Sequence, residues 1–179
     1  MAIILVDSYS EGNSDNEQVA CVTAYPGAGQ SFTGKRGKLI QCKFYLKKDS
    51  GATGNAVAKL YAHIGTYGTS SIPTGTALAA SGNFDVSTLT TSLQLITFNF
   101  TGINQYILVK GTYYCLVFEY AGVIAVRLGS DASSPSHSGS PFYKNGATWT
   151  TYGSGKDVCF YVYANPIVGG LGIGNPYIF

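Results

Sequence analysis

Apolar and polar residues alternate with a period close to two along most of this chain. In the segment 38–47, Ile40, Cys42, Phe44 and Leu46 alternate with polar or charged neighbours, which puts all four on one face of a strand. No amphipathic helical pattern longer than about two turns occurs, so the chain is predicted to be all-β. The strands that the pattern predicts are 2–7, 18–24, 30–34, 38–47, 56–64, 76–80, 93–100, 105–110, 112–121, 123–128, 141–143, 147–151 and 157–164.

Turn residues separate these short strands in the manner of a two-sheet antiparallel β-sandwich. Glycine accepts the positive φ of tight turns, so we expect hairpins at 110–111 and 121–122 and a three-stranded meander over 105–128. The strand 112–121 is apolar on both faces, which favours a central position in its sheet. Residues 1–164 are thus expected to form one sandwich domain.

Charged residues make up only 11% of the chain, and the formal net charge is +2. A nucleic-acid-binding protein needs a basic stripe, whereas the basic residues here do not cluster beyond short turns. No segment approaches the roughly 20 apolar residues that span a bilayer. Residues 1–7 have the pattern of a strand. They lack the basic region and the cleavage site of a signal peptide. We therefore expect no nucleic acid partner, no membrane partner and no Sec-type export.

The four cysteines, Cys21, Cys42, Cys115 and Cys159, lie too far apart for a zinc-ligand spacing. The alternation puts Cys42 on the core face as a small buried hydrophobe. Cys115 and Cys159 fall in strands that could pair, so either a disulfide or two reduced thiols fits the sequence.

The residues that carry chemistry in enzymes are sparse in this sequence. His63 alternates along a strand, and His137 lies in the Ser-rich loop 130–139 without a strand-turn-helix elbow or an orienting acid. We therefore predict that the chain is not an enzyme and needs no cofactor.

The acidic residues offer either a calcium site or simple turn caps. Glu11, Asp15 and Glu17 share a polar loop, and Asp131 opens the Ser-rich loop. No regular ligand spacing links them, so capping of a turn by Asp131 is the favoured interpretation and no metal is expected.

Three aromatic residues, Tyr143, Trp149 and Tyr152, cluster around a turn at 144–147. Exposed rings on a loop offer the flat apolar surface with polar tips that a glycan-binding platform uses. Cross-strand aromatic pairing that closes a hairpin would place the same residue types here. Both interpretations follow from the sequence.

The segment 165–179 is Gly-rich and apolar, unlike the polar composition usual for a tail in water. We predict that it docks on an adjacent subunit; folding back as an extra edge strand of the same sandwich is the alternative. Its apolar side chains are Ile167, Val168, Leu171, Ile173, Tyr177, Ile178 and Phe179.

A series of short motifs follows the order found in jelly-roll domains: GQSFTG at 29–34, FYLKK at 44–48, GN at 54–55, AKLYA at 58–62, PTG at 73–75, LA at 78–79, FDVS at 84–87, TF at 97–98, GTYY at 111–114, EY at 119–120 and SSPSHSG at 133–139. Over 7–164 the chain resembles modules of phage and metagenomic virion proteins, and more distantly choice-of-anchor modules of bacterial surface proteins. The resemblance implies a jelly-roll β-sandwich and carries over no catalytic residue.

Two functions are therefore expected from the sequence. One is a virion structural protein, either a capsid decoration or a tail-associated subunit, made in the host cytoplasm and partnered with other virion or filament subunits as a homo-oligomer. The other is an extracellular carbohydrate-binding or adhesion module with a cell-surface glycan as its partner.

Overall fold

The fold is known from a computed structural model that describes residues 2–167. Fifteen strands and three single-turn 3-10 helices (Glu11–Asn13, Val86–Thr88 and Gly102–Asn104) make up this region. The strands are β1 (Ile4–Tyr9), β2 (Asn16–Cys21), β3 (Gly27–Thr33), β4 (Gly37–Lys48), β5 (Asn55–Ile64), β6 (Ile72–Ala80), β7 (Phe84–Asp85), β8 (Gln94–Asn99), β9 (Ile107–Leu108), β10 (Tyr113–Glu119), β11 (Val126–Asp131), β12 (Pro141–Asn145), β13 (Thr148–Thr151), β14 (Asp157–Val158) and β15 (Phe160–Asn165). None of the helices in this region has the length and apolarity that crossing a membrane would require.

The strands form two antiparallel sheets that pack face to face, which confirms the predicted all-β sandwich. Over residues 2–167 the larger sheet has eight strands, with β15 between β1 and β4 and with β2 and β14 paired to β11. The smaller sheet has seven strands in the order β13, β12, β3, β10, β5 and β6, with β7 added to β5. The jelly-roll connectivity that the resemblance implies stays a prediction.

The core between the sheets is built largely from the alternating apolar residues of the strands. Phe44 and Phe118, one from each sheet, meet edge to face with ring centroids 6.0 Å apart, and both are fully buried. Each large side chain buried in this way contributes about 1.5–3 kcal/mol relative to its exposure to water. Cys42 lies in the same core, as its place in the alternation predicts.

The outer face of the seven-stranded sheet carries a second, smaller apolar cluster. It contains Tyr61, Cys115, Val117 and Phe142, and Trp149 packs against it. β10 contributes to both faces and pairs with β3 on one side and β5 on the other. This confirms the central position that its apolar residues predict.

The predicted three-stranded meander over 105–128 is wrong. β9 and β11 pair with β4 in the eight-stranded sheet, whereas β10 between them lies in the other sheet. Gly111 does turn the chain, with φ +79°, but its N–H donates to the carbonyl of Gly34 at 2.9 Å instead of closing a hairpin. The glycine correctly predicts that the chain turns here. Whether the next strand joins the same sheet or the other one depends on how the two sheets pack around the core.

Of the two alternatives for Cys115 and Cys159, the structure agrees with the reduced thiols, since all four cysteines lie among the described residues and all four are free. Cys115 belongs to the outer cluster of the seven-stranded sheet, whereas Cys159 lies between β14 and β15 and packs in the main core. The two side chains are therefore on opposite sides of a sheet. Burial raises the pKa of both thiols, that of Cys159 to about 12.

Candidate functional site

The hairpin β12–β13 carries the predicted aromatic cluster and divides it between two faces. Gly146 makes the turn with φ +56°, and the register places Tyr143 opposite Thr150 and Lys144 opposite Trp149. Adjacent positions of a strand point to opposite faces. Tyr143 and Tyr152 accordingly pack against the main core, and Trp149 packs against the outer cluster. The structure thus brings two of the three rings together and separates the third.

Trp149 has the contacts of a packing residue. Its ring meets Phe142 and Tyr61 edge to face, with centroids 5.6 and 6.0 Å away. A Cβ placed on Gly27 would lie only 2.9 Å from the indole, so that glycine makes room for it. The ammonium of Lys144 lies 5.4 Å from the ring centroid. These contacts agree with the alternative that the hairpin is closed by aromatic pairing.

Tyr143 and Tyr152 form the side of a cleft at one edge of the sandwich. Their ring centroids are 4.6 Å apart, and the ring of Tyr25, in the loop after β2, meets Tyr143 edge to face at 6.0 Å. The cleft has a volume of about 490 Å³. It is lined by Ala20, Val22, Tyr25, Ala125, Arg127, Tyr143 and Tyr152.

Arg127 supplies the charged group of this cleft. It lies on β11 between Val126 and Leu128, whose side chains are buried in the core, so its own side chain projects outward. Its Nε and Nη2 donate to the two carboxylate oxygens of Asp49 at 2.7 and 2.8 Å, and its Nη1 donates to the carbonyl of Glu17 at 3.5 Å. These bonds use three of the five N–H groups of a guanidinium.

The ion pair shifts the pKa of both partners in the direction that favours their charged forms. The hydrogen bonds from Arg127 lower the pKa of Asp49, and those to Asp49 raise the pKa of Arg127. A second ion pair, between Lys47 and Glu17, lies beside the first, because Lys47 is directly opposite Arg127 in the β4–β11 register. Arg127, the charged residue that lines the cleft, is therefore one member of a row of paired charges.

Burial makes ionisation of the Tyr152 phenol still less favourable than in an exposed tyrosine. Desolvation raises its pKa to about 12, so the hydroxyl remains a hydrogen-bond donor and acceptor over the physiological range. The ammonium of Lys156 lies 5.4 Å from the centroid of this ring.

His137 has partners that its sequence neighbours do not reveal. Its Nδ1 faces the amide nitrogen of Gln30 at 3.2 Å and accepts from the N–H of Gly139 at 3.0 Å, while Nε2 is 3.4 Å from Asp7. An acidic partner is thus present, contrary to expectation, and it comes from β1. Since donors occupy Nδ1, the proton of the neutral ring lies on Nε2, toward Asp7. The ring ties the Ser-rich loop to β1 and β3.

Asp131 caps the start of the Ser-rich loop, as predicted. Its Oδ1 accepts from the N–H groups of Ser133 and Ser134, both at 3.0 Å, and its Oδ2 accepts from the hydroxyl of Tyr9 at 2.6 Å. Asp15 caps the same loop by accepting from the N–H of Ala132 at 2.9 Å. Among residues 2–167, no three His, Cys, Asp or Glu side chains converge in a way that could hold a metal ion.

The predicted docking segment lies outside the described residues from Val168 onward. Of its apolar side chains only Ile167 is described, and it is partly exposed just after β15.

Two residues of the cleft, Tyr25 and Arg127, were not predicted from the sequence. Both lie outside the hairpin, and they offer a ligand an aromatic ring and a charge. A signal for Arg127 exists, because it is the one charged residue in the predicted strand 123–128. Tyr25 stands before Pro26 in a turn, where an aromatic side chain has no core to enter. Neither signal says that the two residues line the same cleft.

Comparisons of the chain with protein-family models, with curated proteins and with solved structures find no match.

Proposed function

We propose that this chain is a non-enzymatic binding module and that the cleft between β2 and the β12–β13 hairpin binds a glycan. The observation that carries the proposal is that one cleft is lined both by the adjacent rings of Tyr143 and Tyr152 and by the charged side chain of Arg127. A pyranose has an apolar C–H face and a rim of hydroxyl groups. Aromatic rings suit the face and charged hydrogen-bonding groups suit the rim.

The size and rigidity of the cleft support this ligand class. Its volume of about 490 Å³ falls in the range of roughly 300–1,000 Å³ that small-molecule sites occupy. Tyr143 and Tyr152 also pack against the main core, so they are held before a ligand arrives. A preformed site loses less conformational entropy on binding.

The test compares two tyrosines with the same exposure. Tyr25 lines the cleft and Tyr113 lies on β10, and each is 43% exposed. We expect Tyr25→Ala to weaken binding to a glycan array by about tenfold, the scale of one lost aromatic contact, and Tyr113→Ala to leave it unchanged. A wild-type protein that binds no member of the array overturns the proposal, and equal losses in the two variants place the site elsewhere.

We propose as a second function that the chain is a structural subunit of a virion, as a capsid decoration or tail-associated protein that forms homo-oligomers. The apolar, Gly-rich sequence of 165–179 favours this role, because the removal of apolar side chains from water by a partner surface is favourable. The two functions are compatible, since a virion subunit that displays the cleft would contact cell-surface glycans. An extracellular adhesion module is the alternative setting.

The test of assembly is a truncation after Ile167, which leaves β15 complete. We expect the full chain to form a defined oligomer in light-scattering measurements and the truncated chain to be a folded monomer. A control of equal length replaces 168–179 with Gly and Ser and should also be monomeric. An oligomer that survives both changes contradicts the role of this segment.

A further inference from the structure

The pairing of Arg127 with Asp49 bears on which glycans the proposed cleft accepts. Both carboxylate oxygens of Asp49 are taken up by the guanidinium, at 2.7 and 2.8 Å, and this two-point contact fixes the plane of the guanidinium. Asp49 is itself held by its backbone, whose N–H donates to the carbonyl of Ala125 at 2.9 Å, a residue that lines the cleft. Arg127 therefore presents its remaining N–H groups in one orientation.

The same contact compensates the charge of Arg127. The cation of Arg127 is matched by Asp49, and the adjacent cation of Lys47 is matched by Glu17. Lys156 adds one ammonium at the rim, over the ring of Tyr152. An acidic sugar would thus meet a guanidinium whose charge is already compensated by a carboxylate, so Arg127 would offer it little net attraction.

We infer that the cleft selects neutral glycans over sialylated, sulfated or uronic-acid glycans, and that Asp49 sets this preference as a positioning residue for Arg127. The inference rests on the proposed glycan-binding function. The hydroxyl groups of a neutral pyranose can accept hydrogen bonds from the N–H groups of a fixed guanidinium. They bring no charge of their own that would have to be compensated. Specificity here is a difference between two affinities, and Asp49 lowers the affinity for acidic glycans by compensating the charge of Arg127.

The first experiment measures binding of the full chain to an array that contains neutral, sialylated, sulfated and uronic-acid glycans. We expect the bound members to be neutral. Binding to acidic members in preference to neutral ones overturns the inference and leaves the glycan-binding function standing. Binding to no member overturns both, so the two failures are distinguishable.

The second experiment uses Asp49→Asn, which keeps the size of the side chain and removes its charge. We expect the ratio of neutral to acidic affinity to fall by about tenfold or more, because the guanidinium becomes uncompensated. If Asp49 had a purely structural role, the substitution would lower the affinity for neutral and for acidic glycans equally. That result would contradict the inference. Lys156→Gln is the control for the rim cation, and it should leave the preference for neutral glycans in place.

Arg127→Gln completes the set. We expect it to weaken binding of neutral glycans by about tenfold, the factor for losing a hydrogen bond to a charged donor. Unchanged binding in this variant would show that the guanidinium does not contact the ligand, and the inference would be wrong. Circular dichroism of each variant checks that the sandwich is intact.

Discussion

The amide of Gln30 donates to the carboxylate of Asp157 at 2.7 Å, and both side chains are buried inside the sandwich. The carbonyl oxygen of the same amide accepts from the backbone N–H of Val158 at 3.0 Å, which fixes the orientation of the amide. The other oxygen of Asp157 accepts from the backbone N–H of His137 at 2.7 Å. One amide and one carboxylate thus join β3, β14 and the Ser-rich loop.

Replacement of Gln30 by Ala should destabilise the protein, because it leaves buried groups of Asp157 and Val158 without a partner. A single unsatisfied buried group costs about 1–3 kcal/mol, so we expect at least this loss in urea denaturation. The control is Asn104→Ala, an exposed amide in a 3-10 helix, which should change stability by less than about 0.5 kcal/mol. Equal effects of the two substitutions would refute the role of the buried network.

Stability should fall in acid in a way that depends on Asp131. The hydrogen bond from Tyr9, with those from the loop backbone, lowers the pKa of this carboxyl below its ordinary value. Its contribution is therefore present above the unfolded pKa of about 3.9 and is lost as the pH falls through the lower folded value. Denaturation midpoints measured from neutral pH downward should drop less steeply in Asp131→Asn than in the wild type. Parallel curves would contradict this assignment.

Trp149→Ala should cost stability and leave ligand binding intact. The ring packs on Phe142 and Tyr61, away from the cleft, so we expect a loss approaching the roughly 3–5 kcal/mol of a large core aromatic. Affinity for any glycan that the array identifies should not change. If binding disappears while the melting temperature stays constant, the platform with Trp149 that the sequence suggests is correct instead.

Gly29 should not tolerate a side chain. A Cβ at this position of β3 would lie 1.9 Å from the backbone carbonyl oxygen of Leu116 on the paired strand β10. Overpacking of a tight contact costs typically about 1–3 kcal/mol, which thermal denaturation of Gly29→Ala will measure. Gly155→Ala is the matched control, because open space surrounds that position. Equal melting temperatures would show that β3 and β10 can separate at no cost.

All four thiols should resist labelling in the folded protein. Each cysteine is fully buried and burial raises each thiol pKa, so little thiolate is exposed. We expect Ellman's reagent to label none of them at about pH 8, slightly below the ordinary thiol pKa, and all four after denaturation without reductant. Two labelled thiols in denaturant would reveal a disulfide.

The sequence predicts local structure here better than it predicts which segments meet. The alternation of Cys42, Phe44 and Leu46 determines the buried face of β4 without reference to any other strand. Gly111 likewise determines a turn, but the pairing of β9 with β4 instead of β10 depends on how two sheets share one core. Tyr25 and Arg127 come to line one cleft with the hairpin only through that packing, so the cleft has no local signal in the sequence.

The position of β15 between β1 and β4 has a consequence for how the chain acquires its structure. The last described strand completes the middle of a sheet that the first strand helps to form. During synthesis, β1 must remain unpaired with β15 until about residue 165 has left the ribosome. Pairings this distant in sequence form slowly, typically in milliseconds to seconds. The eight-stranded sheet is therefore completed only after translation has passed β15, and nascent chains shorter than this leave the edges of β1 and β4 that pair with β15 without their partner strand.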